Sequence, residues 1–300
     1  MHAYFLEPAG IRYGALTLDP ALTRGVAATV LRTAEPAPAA APPVSAGADI
    51  ERIQQSGVLR VGYNATAVPF AYFNDAGELV GYDIAFAYDL ARSLNVRPVL
   101  VPFEWAELER DLQAGRFDIA MSGIYASTQR LTVLSASMSY YQSPVALLVP
   151  TERAQRFRSR QDIVAMPGLR IAMSVDPVLH PLWQRLFPNA EISMVPDYRT
   201  PPDFNKVDAA VWTLEQAAAF ARSHPGITAV VPQGLSNPFL LSYMMPPGSE
   251  VMVHFVNYWL ELRRADGMRA REASYWIQGR PRAVPAPRWS IVRDVLHWKE

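Results

Sequence analysis

Residues 117–130 read Phe117-Asp118-Ile119-Ala120-Met121-Ser122-Gly123-Ile124-Tyr125-Ala126-Ser127-Thr128-Gln129-Arg130. The run starts as an alternating, β-prone segment and breaks into small and hydroxyl residues before ending on an arginine. This pattern predicts a buried strand whose C-terminal end opens into a polar loop. In open α/β sheets, ligands sit beyond the carboxyl ends of strands. There Arg130 would meet a carboxylate with two parallel, charge-assisted hydrogen bonds, which a lysine does not reproduce. Taken alone, the loop fits equally well a surface arginine paired with any nearby acid.

The flanking sequence adds an order of motifs. Val58-Leu59-Arg60-Val61-Gly62-Tyr63 reads as a strand, followed by Pro69-Phe70 and then by Asp75-Ala76-Gly77-Glu78-Leu79-Val80-Gly81-Tyr82-Asp83. Trp105 to Leu112 lead into Ala114-Gly115-Arg116-Phe117-Asp118, and Ser137-Met138-Ser139-Tyr140-Tyr141 follow Arg130. This order, over roughly residues 57–280, resembles the bacterial family 3 extracellular solute-binding proteins, the amino-acid-type periplasmic binding proteins of ABC importers. The resemblance implies an α/β fold of the type II periplasmic-binding-protein kind, with two lobes, a hinge and an interlobe cleft.

The totals narrow the functional classes. Half of the 300 residues are apolar, enough for sizeable cores, and 28 basic residues balance 28 acidic ones. Such a balance gives no general attraction to nucleic acid, and no nucleic-acid partner is expected. The chain contains no cysteine, which excludes disulfides and thiol chemistry. Its five histidines are scattered and form no ligand-spaced pair, so no metal or other cofactor is expected. No stretch of about 18 apolar residues exists to span a bilayer. Gly14 to Leu31 is interrupted by Asp19, Pro20 and Arg24 and does not read as a signal peptide, although the resemblance implies a periplasmic protein.

Taken in order, residues 1–35 lack a sustained period, and Glu35 to Gly47 is a stiff Pro/Ala tract that reads as a linker. Asp49–Gln55 is a short helical lead-in. Strand Val58–Tyr63, a helix over Asp83–Leu94, strand Val99–Pro102 and a helix over Glu104–Ala114 form βαβ units. Asp83 would face the positive end of its helix. Pro144–Val149 is expected to cross into a second lobe. There strands at Leu169–Met173, Glu191–Val195, Val207–Trp212 and Ile227–Val231 alternate with helices at Pro177–Phe187 and Leu214–Ser223. Phe239–Met245 would cross back, and helix Val251–Ala265 would close the first lobe. The expected division is an N-terminal segment and linker over 1–47, one lobe over 48–147 plus 246–280, a second over 148–245, and a tail over 281–300. In that tail Trp289, Val292, Leu296 or Trp298 would pack back on the body.

Clefts between domains are where small molecules bind. The resemblance maps a carboxylate-binding arginine onto Arg130, supported by groups around Ser122 and Tyr125, and an aromatic cover onto Trp105. Phe70 and Asn64 lie near the same strand ends. The plain alternative makes Trp105 and Phe70 core residues. Two departures stand out. Where the family commonly carries a Gly-Ser/Thr-Thr helix start, this chain has Ser174-Val175-Asp176-Pro177: Asp176 reads as an N-cap before a Pro at the first helical position, and it would repel an arriving anion. Thr213 stands where an ammonium-binding aspartate is expected, with Glu215 two residues on, and Gly123 and Tyr125 replace smaller hydroxyl residues. Asp176 or Glu215 would then supply a negative partner from a new direction.

The leading expectation is a non-catalytic, monomeric binding protein. It takes a small carboxylate ligand, a polar amino acid or related organic acid, and presents it to a membrane permease. One alternative is a ligand-sensing module or one fused to a membrane transporter. Another is an enzyme similar to cyclohexadienyl or arogenate dehydratases, with Glu215 or Asp176 as a desolvated acid.

Overall fold

The computed structural model describes residues 4–5, 12–33, 49–174, 176, 178–195, 202–235 and 238–282. The Pro/Ala linker and nearly all of the expected tail, including Trp289, Val292, Leu296 and Trp298, lie outside them.

Two six-stranded sheets organise the chain. The first runs in the order Thr29–Val30, Arg97–Pro102, Val58–Tyr63, Ile119–Ala120, Met244–Met245, Ser135–Ala136. Its first three pairings are parallel and its last two antiparallel. The second runs Tyr4–Phe5, Ile227–Val231, Val145–Pro150, Ala209–Thr213, Arg170–Ser174, Glu191–Val195. Val58–Tyr63 is buried on both faces, as a near-continuous apolar run in a parallel sheet should be. Its one charge, Arg60, is paired: Nε and Nη2 donate to Asp118 at 3.2 and 2.6 Å, and the Arg60 backbone N–H donates to the same carboxylate at 2.8 Å. Asp118 thereby locks the start of the 117–130 segment against its neighbour strand. Gly62 is required there, because a Cβ would lie 2.6 Å from the Phe117 ring.

The sheets are connected by an antiparallel pair, Tyr141–Ser143 with Phe239–Leu241, which forms the hinge. The expected single return strand over Phe239–Met245 is therefore two strands. It divides at Ser242-Tyr243, where Ser242 N–H turns to Ile124 O and Tyr243 N–H to Ser137 Oγ.

Three other expectations shift. The helix read over Glu104–Ala114 is a 3-10 turn, Trp105–Glu107, followed by helix Leu108–Gln113, since the backbone opens at Glu107. Asp176 is not an N-cap at the start of a helix over Pro177–Phe187. Its oxygens take Val178 N–H and Leu179 N–H in a preceding turn, and the helix spans His180–Leu186 with Leu179 as its N-cap. Residues 1–35 do contribute structure: Tyr4–Phe5 pairs with Ile227–Val231 of the second sheet, whereas Thr29–Val30 edges the first. Between them Tyr13 packs edge-on against Tyr72 of the first lobe and accepts a 2.6 Å hydrogen bond from Arg222 of the second.

Helix Glu250–Ala265 returns to the first sheet's side, packing on helix Asp49–Ser56 and strand Ser135–Ala136. Its anchor is Trp259, edge-on to Phe86 at 5.7 Å, with Nε1 donating to Asp89 at 2.9 Å. Trp259→Ala should lower unfolding free energy by about 3–5 kcal/mol in denaturant melts, the usual cost of truncating a buried Trp. Leu262→Ala, on the exposed face of the same helix, should stay within about 0.5 kcal/mol.

Candidate functional site

The loop after Ile119–Ala120 is positioned from two sides. Ser122 Oγ accepts from Asn64 N–H at 2.9 Å and donates to Asn64 O at 3.1 Å. Asn64 in turn donates through Nδ2 to Phe103 O at 2.9 Å. On the hinge side, Ala126 N–H donates to Leu240 O and Tyr125 bridges Leu241. Ser127 then caps the short helix Thr128–Leu131 and presents Arg130.

Arg130 is fully buried, and each of its three nitrogens has an acceptor. Nε donates to Glu109 Oε1 at 2.8 Å and Nη1 to Tyr125 O at 3.2 Å. Nη2 reaches both oxygens of Asp176, at 2.9 and 3.0 Å. Glu109 and Tyr125 belong to the same lobe as Arg130, whereas Asp176 lies just past strand Arg170–Ser174 of the other. The arginine was expected to wait for a solute carboxylate and Asp176 to repel one; instead Asp176 itself holds the arginine. Burial raises the Asp176 carboxyl above the ordinary range, and the Arg130 charge opposes that rise.

Beside this pair the cleft narrows to a cavity of about 50 Å³ whose wall includes Trp105, Gly123, Tyr125, Asp176 and Thr213. That is room for a few waters, far below the roughly 300 Å³ at which small-molecule pockets begin. Trp183 and Phe239, packed edge-on at 5.4 Å, add to the aromatic part of its wall. A second cavity, about 510 Å³, opens on the far side of Trp212 and Gln216 between Tyr13, Val68, Phe220 and Arg222.

Not every expected residue reaches the cavity. Phe70 is fully buried against Tyr82 and Tyr141, and a Cβ on Gly123 would come within 2.7 Å of its ring. Ser122 and Asn64 spend their polar atoms on backbone groups and on the Thr66 hydroxyl, shaping the loop from behind. Glu215 sits in the first turn of helix Leu214–Ser223, capped by Thr213, but its carboxylate turns to the hinge. Tyr141 OH donates to it at 3.0 Å, and Ser143 Oγ bonds its other oxygen. Burial raises its pKa, with those hydroxyls opposing. Glu109, Trp183 and Phe239 were not singled out from sequence; Glu109 was one acid among several on a charged helix, with no spacing to mark it. Among the described residues no group of three or more metal-ligating side chains is gathered.

The model of the bacterial extracellular solute-binding proteins, family 3, matches residues 59–279. The chain belongs to this family. Among similar proteins, cyclohexadienyl dehydratase of Pseudomonas aeruginosa is 28% identical over 235 residues, covering 77% of this chain and 87% of the enzyme. A probable amino-acid ABC transporter-binding protein of Haemophilus influenzae is 22% identical over 239 residues, covering 77% and 89%. A solved ancestral amino acid-binding protein, described as a precursor of cyclohexadienyl dehydratase, superposes with a TM-score of 0.69 at 26% identity, over 76% of this chain and 99% of that one. The two-lobed architecture is thus that of amino-acid-type solute-binding proteins.

One feature of this family member's cleft floor is a buried acid behind Gly123. Asp83, in the first turn of helix Tyr82–Ser93, accepts from Gly123 N–H at 2.6 Å, Tyr140 OH at 2.7 Å and Tyr243 OH at 3.2 Å. Its position is thus not set by the helix dipole alone. Complete burial outweighs these bonds and pushes its pKa up to about 7. The folded protein then binds a proton more tightly than the unfolded chain, so this contribution to stability is full below about pH 4 and is lost as pH rises to about 7. The unfolding free energy of the wild type, relative to Asp83→Asn, should fall by about 1.4 kcal/mol per pH unit across that window and level off above it. Denaturant melts of both proteins from pH 4 to 8.5 check this; parallel curves would show that Asp83 ionises normally.

Proposed function

We propose that this solute-binding protein captures a small carboxylate-bearing solute, a polar amino acid or related organic acid, between its lobes and delivers it to a membrane transporter. The lobes would comprise residues 48–147 plus 246–280 and residues 148–245, the protein acting as a periplasmic monomer beside a permease or fused to one. The observation that carries the reading is Arg130: a fully buried guanidinium at the cleft, with Nη2 turned across it onto a carboxylate. A solute carboxylate would take the same nitrogen once the lobes part, and Trp105, Tyr125 and Thr213 would line its seat. Hinge closure around a ligand is an established repertoire for such architectures. The H. influenzae relative, named as an amino-acid transporter-binding protein, supports the same class.

A second reading has its own observation. The similarity to cyclohexadienyl dehydratase spans most of the chain, and Glu215 is a buried acid whose pKa desolvation raises. Against it, both Glu215 oxygens are engaged by Tyr141 and Ser143 and face the hinge. Carbon dioxide release from a cyclohexadienyl substrate, abolished in Glu215→Gln, would establish the enzyme.

For the leading reading, calorimetric titration of an amino-acid and organic-acid panel should give at least one ligand. Arg130→Ala should weaken its binding by about 2–5 kcal/mol, on the order of 30-fold to several thousand-fold. Arg130→Lys should recover only part, since an ammonium lacks the planar fork. Binding within about threefold of wild type in Arg130→Ala would remove Arg130 from the site. Because Arg130→Ala also strands Asp176, its melting temperature should drop, and the titrations belong well below that temperature.

A further inference from the structure

We infer that Asp176 decides which solutes this cleft accepts: it occupies the place of a solute carboxylate on Arg130, and a solute displaces it only by bringing both a carboxylate for Arg130 and a cation for Asp176. The inference rests on the solute-binding reading above.

Three observations carry it. First, the partners of Arg130 are divided between the lobes. Glu109 Oε1 and Tyr125 O stay with Arg130 on its own lobe, while both Asp176 contacts cross the cleft. When the lobes part, Arg130 therefore keeps a carboxylate, but Asp176 keeps only the Val178 N–H, a long 3.3 Å contact. Asp176 is the group left in need of a charge partner.

Second, the cluster already holds one guanidinium against two carboxylates, all partly or fully buried. A plain carboxylate wedged onto Arg130 would add a third negative charge and leave Asp176 unpaired on closure, and a stranded buried charge is strongly disfavoured. A zwitterion adds no net charge. Its carboxylate meets Nη2 while its ammonium meets Asp176, so each member of the broken pair regains an opposite partner.

Third, the remainder of the cavity wall supplies no competing partner for a cation. Among the described residues lining it, Asp176 is the charged one; Thr213 and Gln216 are neutral, and the others are apolar or aromatic apart from Gly123. The Trp105 and Tyr125 rings add faces on which a cation is further stabilised. Asp176 is thus a specificity-determining residue that selects zwitterionic or cationic amino acids over plain organic acids.

The test is calorimetry of the full chain and of Asp176→Asn and Asp176→Ser, with L-amino acids each paired with its des-amino acid: glutamine with glutaramate, alanine with propanoate. Melting curves first confirm that each variant is folded at the titration temperature. The wild type should bind at least one amino acid tenfold or more tightly than its des-amino partner. In Asp176→Asn the ratio should fall to within threefold, with the amino acid weakened and the plain acid improved. A ratio that survives in both variants overturns the role of Asp176 while leaving the solute-binding reading intact, as does equal tightening of both ligands, which would make Asp176 a mere competitor. Absence of binding to wild type and variants alike would bring down both.

Discussion

A guanidinium cannot be left alone inside a protein, and most of this cleft is arranged around that constraint. Arg130 is as buried as the surrounding core, and its donors are met by an acid of its own lobe, a carbonyl of its own loop and an acid of the opposite lobe. To deliver it there, the chain fixes the preceding loop with the Asn64–Ser122 exchange on one side and the hinge strand on the other. The loop is therefore a rigid support whose tip is a charge, and preorganised charge is what distinguishes ligands in a low-dielectric cleft.

The hinge is also held by buried acids, here met by hydroxyls in place of a guanidinium. Each lobe sends one buried acid to the crossing strands. Asp83, from the first lobe, takes the hydroxyls of Tyr140 and Tyr243, which stand next to the two strands; Glu215, from the second, takes Tyr141 and Ser143. Both acids have pKa values raised by burial. The crossing strands are thus gripped from both ends by side chains, while the backbone pair between them, Tyr141–Ser143 with Phe239–Leu241, is short. A ribbon this short is where bending between two lobes would concentrate.

Much of this was legible in the sequence because it follows from periodicity. The strand at Val58–Tyr63, the helix at Leu214–Ser223, the strands at Glu191–Val195 and Ile227–Val231 and the Asp75-Gly77 turn occur where patterning puts them. Arg130 was found through its position after a strand. What the sequence withheld were pairings across long separations: Arg130 with Asp176 is 46 residues apart and Tyr13 with Arg222 is 209 apart. An acid carries no mark of which distant charge it will face. Local context marks Asp176 as a helix cap that repels anions or partners a cation, and Glu215 as a cleft acid, because a helix's first turn does not reveal whether its side chain turns to solvent, solute or hinge. The N-terminal strands were missed for a related reason: two-residue edge strands have no period to detect.

The energetics of the Arg130–Asp176 pair set what it does to lobe motion. Pairing two desolvated charges roughly repays the cost of taking them out of water, so such a pair adds little net stability compared with an apolar contact, whereas separating its members into a dry site is costly. Opening, however, does not leave them dry: the same motion that parts the lobes lets water reach Asp176, and Arg130 retains Glu109. The pair therefore weighs only modestly on the open–closed balance. Its effect falls instead on reclosing. A solute that leaves Asp176 without a counter-charge must pay the full desolvation cost as the lobes come together, while one that supplies a cation does not. A ligand shifts a conformational balance only by its differential affinity for the two states, so in this cleft the sign of charge presented to Asp176 separates a solute that merely touches Arg130 from one that closes the lobes.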